Sequence, residues 1–519
     1  MTARRPRQAP LPRLPQDPLA SADLRGVRIV IANWRDPWHP EAGGAERYAW
    51  EMARALVQRG AVVRFLTARP PGQARSEHRE GIGIVRRGGR FTVYPRALCW
   101  LIAHRRFADA VLDCQNGIPF FSPLVLPRRV PVLCVVHHVH TAQFGVHFPA
   151  WMAGVGRLLE GPVSRVVYRR HGCVAVSPST VAAMRERLGW AGDIYLIPNG
   201  TPAPAASPRS GEAGTETADS GADSPGTADP ETADPETAGP GTDSPGTAGQ
   251  PPQLVWIGRL VAHKRAELIV GVAERGFTIE VIGRGPGAAG LSAALSATQL
   301  TARPAAQSAA ATSGRAVAGA VHLRGYVSEE GKQAIVARSL LHLNTSAGEG
   351  WGLCVLEAAA LGVPTVAYDV EGLRDAVRDG QTGWLVREGE ELADVVERTV
   401  KELRDPARRA EVAAACRHWA GLLSWERSTA RMAELIAACV RLGTSRGTRA
   451  GAWILSRGSL GDADLADADL ADADLGDTVA EGPVLDLLLG AGAVLVRRAT
   501  SAERLLGEPG GYSVGAGPS

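Results

Sequence analysis

Two rhythms of apolar residues alternate along this chain, and both begin near Val27. The stretch VRIVIANW is a continuous apolar run, as a strand buried on both faces requires. GGAERYAWEMARALVQRG spaces its apolar positions three and four apart, as a helix does, and AVVRFLTAR returns to a strand. That order predicts a βα unit opening a parallel sheet. Apolar runs in VPVLCVVHH and GCVAVS, separated by helical stretches such as STVAAMRERLG, carry the series on to IYLIPNGT. Residues 27–198 thus read as one Rossmann-like domain. The pattern restarts with QLVWIGRL, AELIVGVAERG and FTIEVIG, followed by strands in AVHLRGYV, LLHLNTS and VPTVAYD. This predicts a second Rossmann-like domain over residues 253–420, interrupted at 288–319 by an Ala- and Ser-rich segment that reads as a helix and a long loop. A further helix follows at 421–441.

Three stretches break the rhythm. Residues 1–26 are basic and proline-rich without an apolar core, which reads as a disordered arm and not as a signal peptide. Residues 199–252 repeat T-A-D-P-E and D-S-P-G-T-A units that offer almost nothing to bury, so they read as a disordered linker between the domains. Residues 442–519 carry GDADLADADLADADLGD, whose five-residue period resembles pentapeptide β-helices but makes too few coils to stack. It reads as low-complexity sequence, with its D-x-D triplets solvated rather than holding a metal. The apolar PVLDLLLGAGAVLVRR beyond it is too short to span a bilayer. It either docks on the protein or lies at a membrane interface with Arg497 and Arg498 at the headgroups.

Charge and cysteine content narrow the partners. With 57 basic and 54 acidic residues, the formal net charge of +3 supplies no strong field, which argues against a nucleic-acid partner. Nearly all the positive charge is arginine; Lys264, Lys332 and Lys401 are the only lysines. Seven scattered cysteines with no C-x-x-C pair argue against a disulfide framework or a zinc site and favour a reducing cytoplasm. The apolar segment in the tail adds the option of peripheral contact at the inner face of the plasma membrane.

Two such domains joined by a polar segment imply a cleft outside the carboxyl ends of their strands. In GEGWGLCVLEAAALG, Gly350 and Gly352 permit a tight turn, and the helix starting near Leu353 offers free N–H groups to a diphosphate. Glu357 falls one turn inside that helix, within reach of vicinal sugar hydroxyls, and Glu349 precedes the turn on the cleft side. The plainer alternative makes both glutamates helix-dipole partners or caps. Arg259 and Lys264, in the loop after QLVWIG, are suited to a diphosphate as a fork and a point charge. Gly43 and Gly44 precede Glu46 at another helix start where backbone can approach a phosphate or sugar. VVHHVH ends a strand, and strand alternation places His137 and His138 on opposite faces, so the three histidines are not expected to converge on zinc. One of them is suited to a sugar hydroxyl or a leaving-group oxygen. GPGAAG at 285–290 matches the dinucleotide fingerprint, but no Asp or Glu occurs between Val281 and Ser328 to hold a ribose.

Taken together, EAGGAERYAWEMARAL, AVSPSTVAAMRERLG, LIPNGT, WIGRLVAHK, VIGRGP, LRGYVSEEGKQAIVARS, EGWGLCVLEAAALGVPTVA, EGLRDAV and GQTGWLV resemble the retaining glycosyltransferases of family 4 over about residues 27–440. The resemblance implies an α/β GT-B fold, two Rossmann-like domains facing across a nucleotide-sugar cleft, with the helix 421–441 returning to the first domain. It implies a hexosyltransferase that moves a sugar from a nucleoside-diphosphate donor to a sugar, lipid-linked or small-molecule acceptor, with no metal and no other cofactor. Arg259 and Lys264 would hold the diphosphate, Glu357 the ribose, and Glu349 would face the transferred sugar. Gly43 or Gly44 would contact phosphate through the backbone, and His137 matches the family's sugar-facing histidine. Thr201 stands where the family has an acid after NG, and Arg284 replaces the Asp of its GDGP turn. Two other readings of the same residues are a sugar-nucleotide epimerase and a non-catalytic nucleotide-sugar-binding partner of a polysaccharide assembly.

Overall fold

The computed structural model describes residues 22–201, 253–298, 302–304, 319–444 and 495–496. Two sheets organise them. The first has the order β16-β8-β7-β6-β5-β1-β2-β4-β3. Its strands are β1 (Arg28–Ala32), β2 (Val62–Thr67), β3 (Ser76–Arg79), β4 (Ile82–Arg86), β5 (Ala110–Gln115), β6 (Val132–Val136), β7 (Cys173–Ala175) and β8 (Ile194–Leu196), with β16 (Leu495–Val496) at one edge. All are parallel except β3, which closes a hairpin on β4, and β16, which runs antiparallel to β8. The second sheet, in the order β11-β12-β10-β9-β13-β14-β15, is parallel throughout. It contains β9 (Gln253–Ile257), β10 (Thr278–Ile282), β11 (Ala302–Pro304), β12 (Val321–Gly325), β13 (Leu341–Asn344), β14 (Thr365–Tyr368) and β15 (Gly383–Val386).

The central strands are apolar on both faces because helices cover both. Ile29 and Ile31 of β1 pack under the helix Gly44–Gln58, while Val30 and Ala32 face the opposite layer, and all four are fully buried. The helix Trp425–Thr444 crosses back to the first sheet, where Met432, Ala433 and Ile436 enter the same cluster as Tyr48 and Met52. The β3–β4 hairpin was not evident in the sequence, since both strands are short and the first, SEHR, is polar, whereas IGIVR is apolar and buried. Its Arg86 is fully buried and pairs with Asp36 and Glu77.

Two expected boundaries move. The arm was expected to run to residue 26, yet Leu24 is fully buried and donates its N–H to Arg59 O at 3.0 Å. The linker was expected from residue 199, yet Thr201 donates its N–H to Leu423 O and its hydroxyl to Ala420 O. A single buried leucine and one threonine hydroxyl are local anchors that composition averaged over a biased stretch does not register. Of the tail, Leu495–Val496 pairs with β8; the rest of its apolar segment, the repeat, the remaining linker and residues 1–21 lie outside the described residues.

Candidate active site

In each sheet the strand order reverses beside the first strand, and the loops leaving the two diverging strands form a crevice there. In the second sheet these strands are β9 and β13, which are hydrogen-bonded neighbours. The loop after β9 carries Arg259 and Lys264; the loop after β13 carries Glu349. The loops are tied together: Trp256 Nε1 donates to Thr345 Oγ1 at 2.9 Å, whose hydroxyl donates to Lys264 O at 2.6 Å, and Ala347 N donates to His263 O at 2.8 Å. Arg265, in the left-handed region at φ 48°, clamps Thr345 O and Ser346 O with its guanidinium.

Lys264 and Glu349 consequently form an ion pair, and Ser346 Oγ donates to the same carboxylate at 2.7 Å. Burial opposes charge on both groups, but each partner outweighs it: Lys264 is held above the ordinary lysine value and Glu349 below the ordinary carboxylate value. Both are therefore charged at neutral pH. Glu357, on the helix Leu353–Ala360, accepts from Arg47 Nη1 at 2.6 Å and Lys332 Nζ at 2.9 Å. Arg47 reaches it from the first domain.

Gly43, Gly44, His137, Arg259, Lys264, Glu349, Gly350, Gly352, Leu353 and Glu357 all line one cleft of about 910 Å³ between the two sheets. Its walls are close. A Cβ on Gly350 would stand 2.3 Å from His137 O, and one on Gly44 would stand 3.1 Å from Leu353 Cδ1. Gly352 caps the helix Leu353–Ala360 at φ 93°, and the first two residues of that helix, Leu353 and Cys354, line the cleft. The two glycines of the first domain divide: Gly43 N donates to Glu46 Oε2 at 2.7 Å, so its amide is taken, whereas Gly44 is the first helical residue. Burial raises Glu46 above the ordinary carboxylate range.

The histidines depart from the expected alternation. The strand ends at Val136, so no pleat separates His137 from His138, and His137, His138 and His140 all line the cleft. No group of three His, Cys, Asp or Glu residues among the described residues is arranged to hold a metal ion. Burial, with His140 nearby, lowers His137 to about 3, so it is neutral at physiological pH, and its buried Nε2 has no hydrogen-bond partner among the described residues. In the unfolded chain this imidazole takes a proton near pH 6.5, so the native state loses stability as pH falls from 6.5 towards 3. Relative to wild type, His137→Gln is expected to gain about 1.4 kcal/mol per pH unit below 6.5, readable as urea midpoints at pH 5 and pH 7.

Sequence reasoning did not find Arg47, Lys332 or Ser346, or the opposite wall of the cleft, where Trp34, Arg35, Arg90, Phe91, Tyr94, Phe148 and Trp151 gather. Arg35 stacks on Trp34 at 3.8 Å, and Arg90 lies 5.4 Å from both Phe91 and Phe148. The scarcity of lysine was a usable signal for Lys332; the aromatic wall has none, because its residues come from five separate loops and helices.

Comparison with known proteins agrees with this architecture. The family profile described as "Glycosyltransferase Family 4" matches residues 42–203, and that described as "Glycosyl transferases group 1" matches residues 251–402. D-inositol 3-phosphate glycosyltransferase of Geodermatophilus obscurus is 48% identical over 83 residues, 16% of this chain and 18% of its own length. GDP-mannose-dependent alpha-(1-6)-phosphatidylinositol monomannoside mannosyltransferase of Mycolicibacterium smegmatis is 42% identical over 90 residues, 17% of this chain and 23% of its own length. The chain thus matches less than a quarter of either relative. Sucrose-phosphate synthase from Thermosynechococcus elongatus superposes with a TM-score of 0.58 at 19% identity, over 79% of this chain and 98% of that one. WaaG, a glycosyltransferase involved in lipopolysaccharide biosynthesis, superposes with a TM-score of 0.53 at 14% identity, over 79% of this chain and 99% of that one. By its two matched domains and its two facing parallel sheets, the chain belongs to the group 1, family 4 glycosyltransferases and has the GT-B fold.

Proposed function

We propose that this protein transfers a hexose from a nucleoside-diphosphate sugar to an acceptor hydroxyl with retention of configuration. The observation that carries the reading is the meeting of Arg259, the Lys264–Glu349 pair and the start of the helix Leu353–Ala360 at the second sheet's crevice. The diphosphate lies against the helix start, where unpaired N–H groups and the two cations take up the charge that grows as the glycosidic C–O bond breaks. These fixed charges make a metal ion unnecessary, and transfer is expected to survive chelation. Glu349, ionised, accepts hydrogen bonds from the hydroxyls of the transferred sugar, and neutral His137 presents Nε2 to the same sugar. The acceptor oxygen attacks the anomeric carbon from the face the diphosphate leaves, and its proton passes to the departing phosphate oxygen. No covalent enzyme intermediate is needed.

Glu357 takes the ribose. Each of its oxygens holds one cation and keeps a lone pair for one of two vicinal hydroxyls. Glu357→Gln is expected to raise the donor KM about 10- to 100-fold with a smaller change in kcat, the loss from one charge-assisted hydrogen bond. The acceptor enters beside Arg35 and Arg90, whose guanidinium groups suit an anionic substituent while the flanking rings suit a sugar face or a lipid. Two relatives are named for inositol-phosphate or phosphatidylinositol acceptors, which fits that wall. The decisive experiment is a panel of UDP-, GDP- and ADP-sugars. One donor should raise the melting temperature and, with polyol-phosphate or lipid-linked acceptors, give a product whose anomeric configuration by NMR matches the donor. Inversion at that carbon, or sugar-nucleotide turnover that needs no acceptor, overturns the proposal.

A further inference from the structure

The helical segment that borders the acceptor side is inside out. It runs through Ala150–Leu158, a π-helical turn at Leu159–Val163, and Ser164–Val167. Its acid, Glu160, is fully buried, accepting from His140 N at 2.6 Å and Thr141 Oγ1 at 3.0 Å. Its large apolar side chains point the other way: Trp151, Val155, Leu158 and Val166 are 71, 48, 52 and 61% exposed. With Pro162, also exposed, they recur at helical spacing and form one outward stripe. Leu124 is exposed as well; it lies three residues from Phe121, whose N–H is held by the hydroxyl of Tyr168 at the end of the segment. Isolated exposed apolar residues need no explanation, but a continuous stripe does.

Charge identifies what covers it. Arg157, Arg165, Arg169 and Arg170 are exposed along the segment, and Glu160 is the only acidic side chain between residues 150 and 170. A helix with an apolar outer face, flanking arginines and no exposed acid lies in the interface of an anionic bilayer, with its rings at the acyl boundary and its guanidinium groups among phosphates. The stripe is also continuous with the cleft, since Trp151 and Val155 line both. No helix among the described residues is long and apolar enough to cross a membrane, so this contact is peripheral.

We propose that residues 150–170 dock the protein on an anionic lipid surface, setting the acceptor mouth against the bilayer. This surface is separate from the apolar segment of the tail and stands whether or not the assigned reaction is correct. The test is co-sedimentation of the full chain with vesicles of phosphatidylglycerol and phosphatidylcholine, and with phosphatidylcholine alone. Wild type should pellet with the anionic vesicles and be released by high salt. Leu158→Glu/Val166→Glu, at two positions outside the cleft lining, should weaken binding at least tenfold while keeping the wild-type melting temperature. Should that variant fail to fold, Arg165→Gln/Arg169→Gln/Arg170→Gln decides the matter; losing three exposed charges is expected to cost about 100-fold in vesicle affinity. The proposal is overturned by wild type that ignores anionic vesicles. It is equally overturned by variants that bind like wild type, or by loss of a dimer rather than of lipid binding in Leu158→Glu/Val166→Glu.

Discussion

Lys264→Ala is expected to lower kcat for sugar transfer about 100- to 1,000-fold, the usual cost of removing one group that stabilises developing negative charge. The same change leaves the Glu349 carboxylate mostly buried without its cation, which costs about 3–5 kcal/mol of stability. The two effects separate in a second variant. Lys264→Met/Glu349→Gln removes both charges together and should recover most of the melting temperature, yet remain inactive because the diphosphate has lost its cation. Activity in either variant, with the fold intact, removes Lys264 from the reaction. Arg259 provides a comparison: its guanidinium reaches Glu41 O at 3.4 Å and forms no buried ion pair among the described residues, so Arg259→Ala should reduce activity with little change in stability.

Gly350→Ala should be nearly as damaging, for a different reason. The added methyl would stand 2.3 Å from His137 O, a backbone atom that cannot rotate away, so the loop after β13 must move off the first domain. Misplacing reacting groups by about 1 Å costs on the order of 100-fold in rate, and that is the expected loss in kcat. Gly348→Ala is the control, since its methyl would meet His138 Cε1 at an ordinary 3.9 Å. A Gly350→Ala enzyme with the rate of Gly348→Ala would show that contact between the domains at this point does not set the geometry of transfer.

Much of the architecture was legible because parallel strands covered by helices must be apolar, as IVIA of β1 and VLCVV of β6 are throughout. What escaped were elements too short or too local to carry that pattern: the β3–β4 hairpin with its polar strand SEHR, Leu24 ahead of the first strand, and Thr201 at the end of the first domain. The site residues singled out by their chemistry all line one cleft, but local pattern misplaces individual side chains and amides within it. Alternation was applied to His137 and His138 beyond the end of the strand, where the backbone no longer pleats. Gly43 was offered to a phosphate, but its amide is held by Glu46.

The sequence by itself determined the two repeating α/β series, the polar break between them and the loops that follow β9 and β13. Those are local properties, written in periodicity and in the placing of Gly, Glu, Arg and Lys after strands. Only the tertiary structure decided that β9 and β13 are neighbours, and so that Lys264 meets Glu349 across 85 residues of chain. It also decided that Arg47 reaches Glu357 from the other domain across 310 residues, and that the stripe of Trp151, Val155, Leu158 and Val166 faces outward while Glu160 faces in. Strand order and domain apposition depend on how whole layers pack, and no window of residues contains that information.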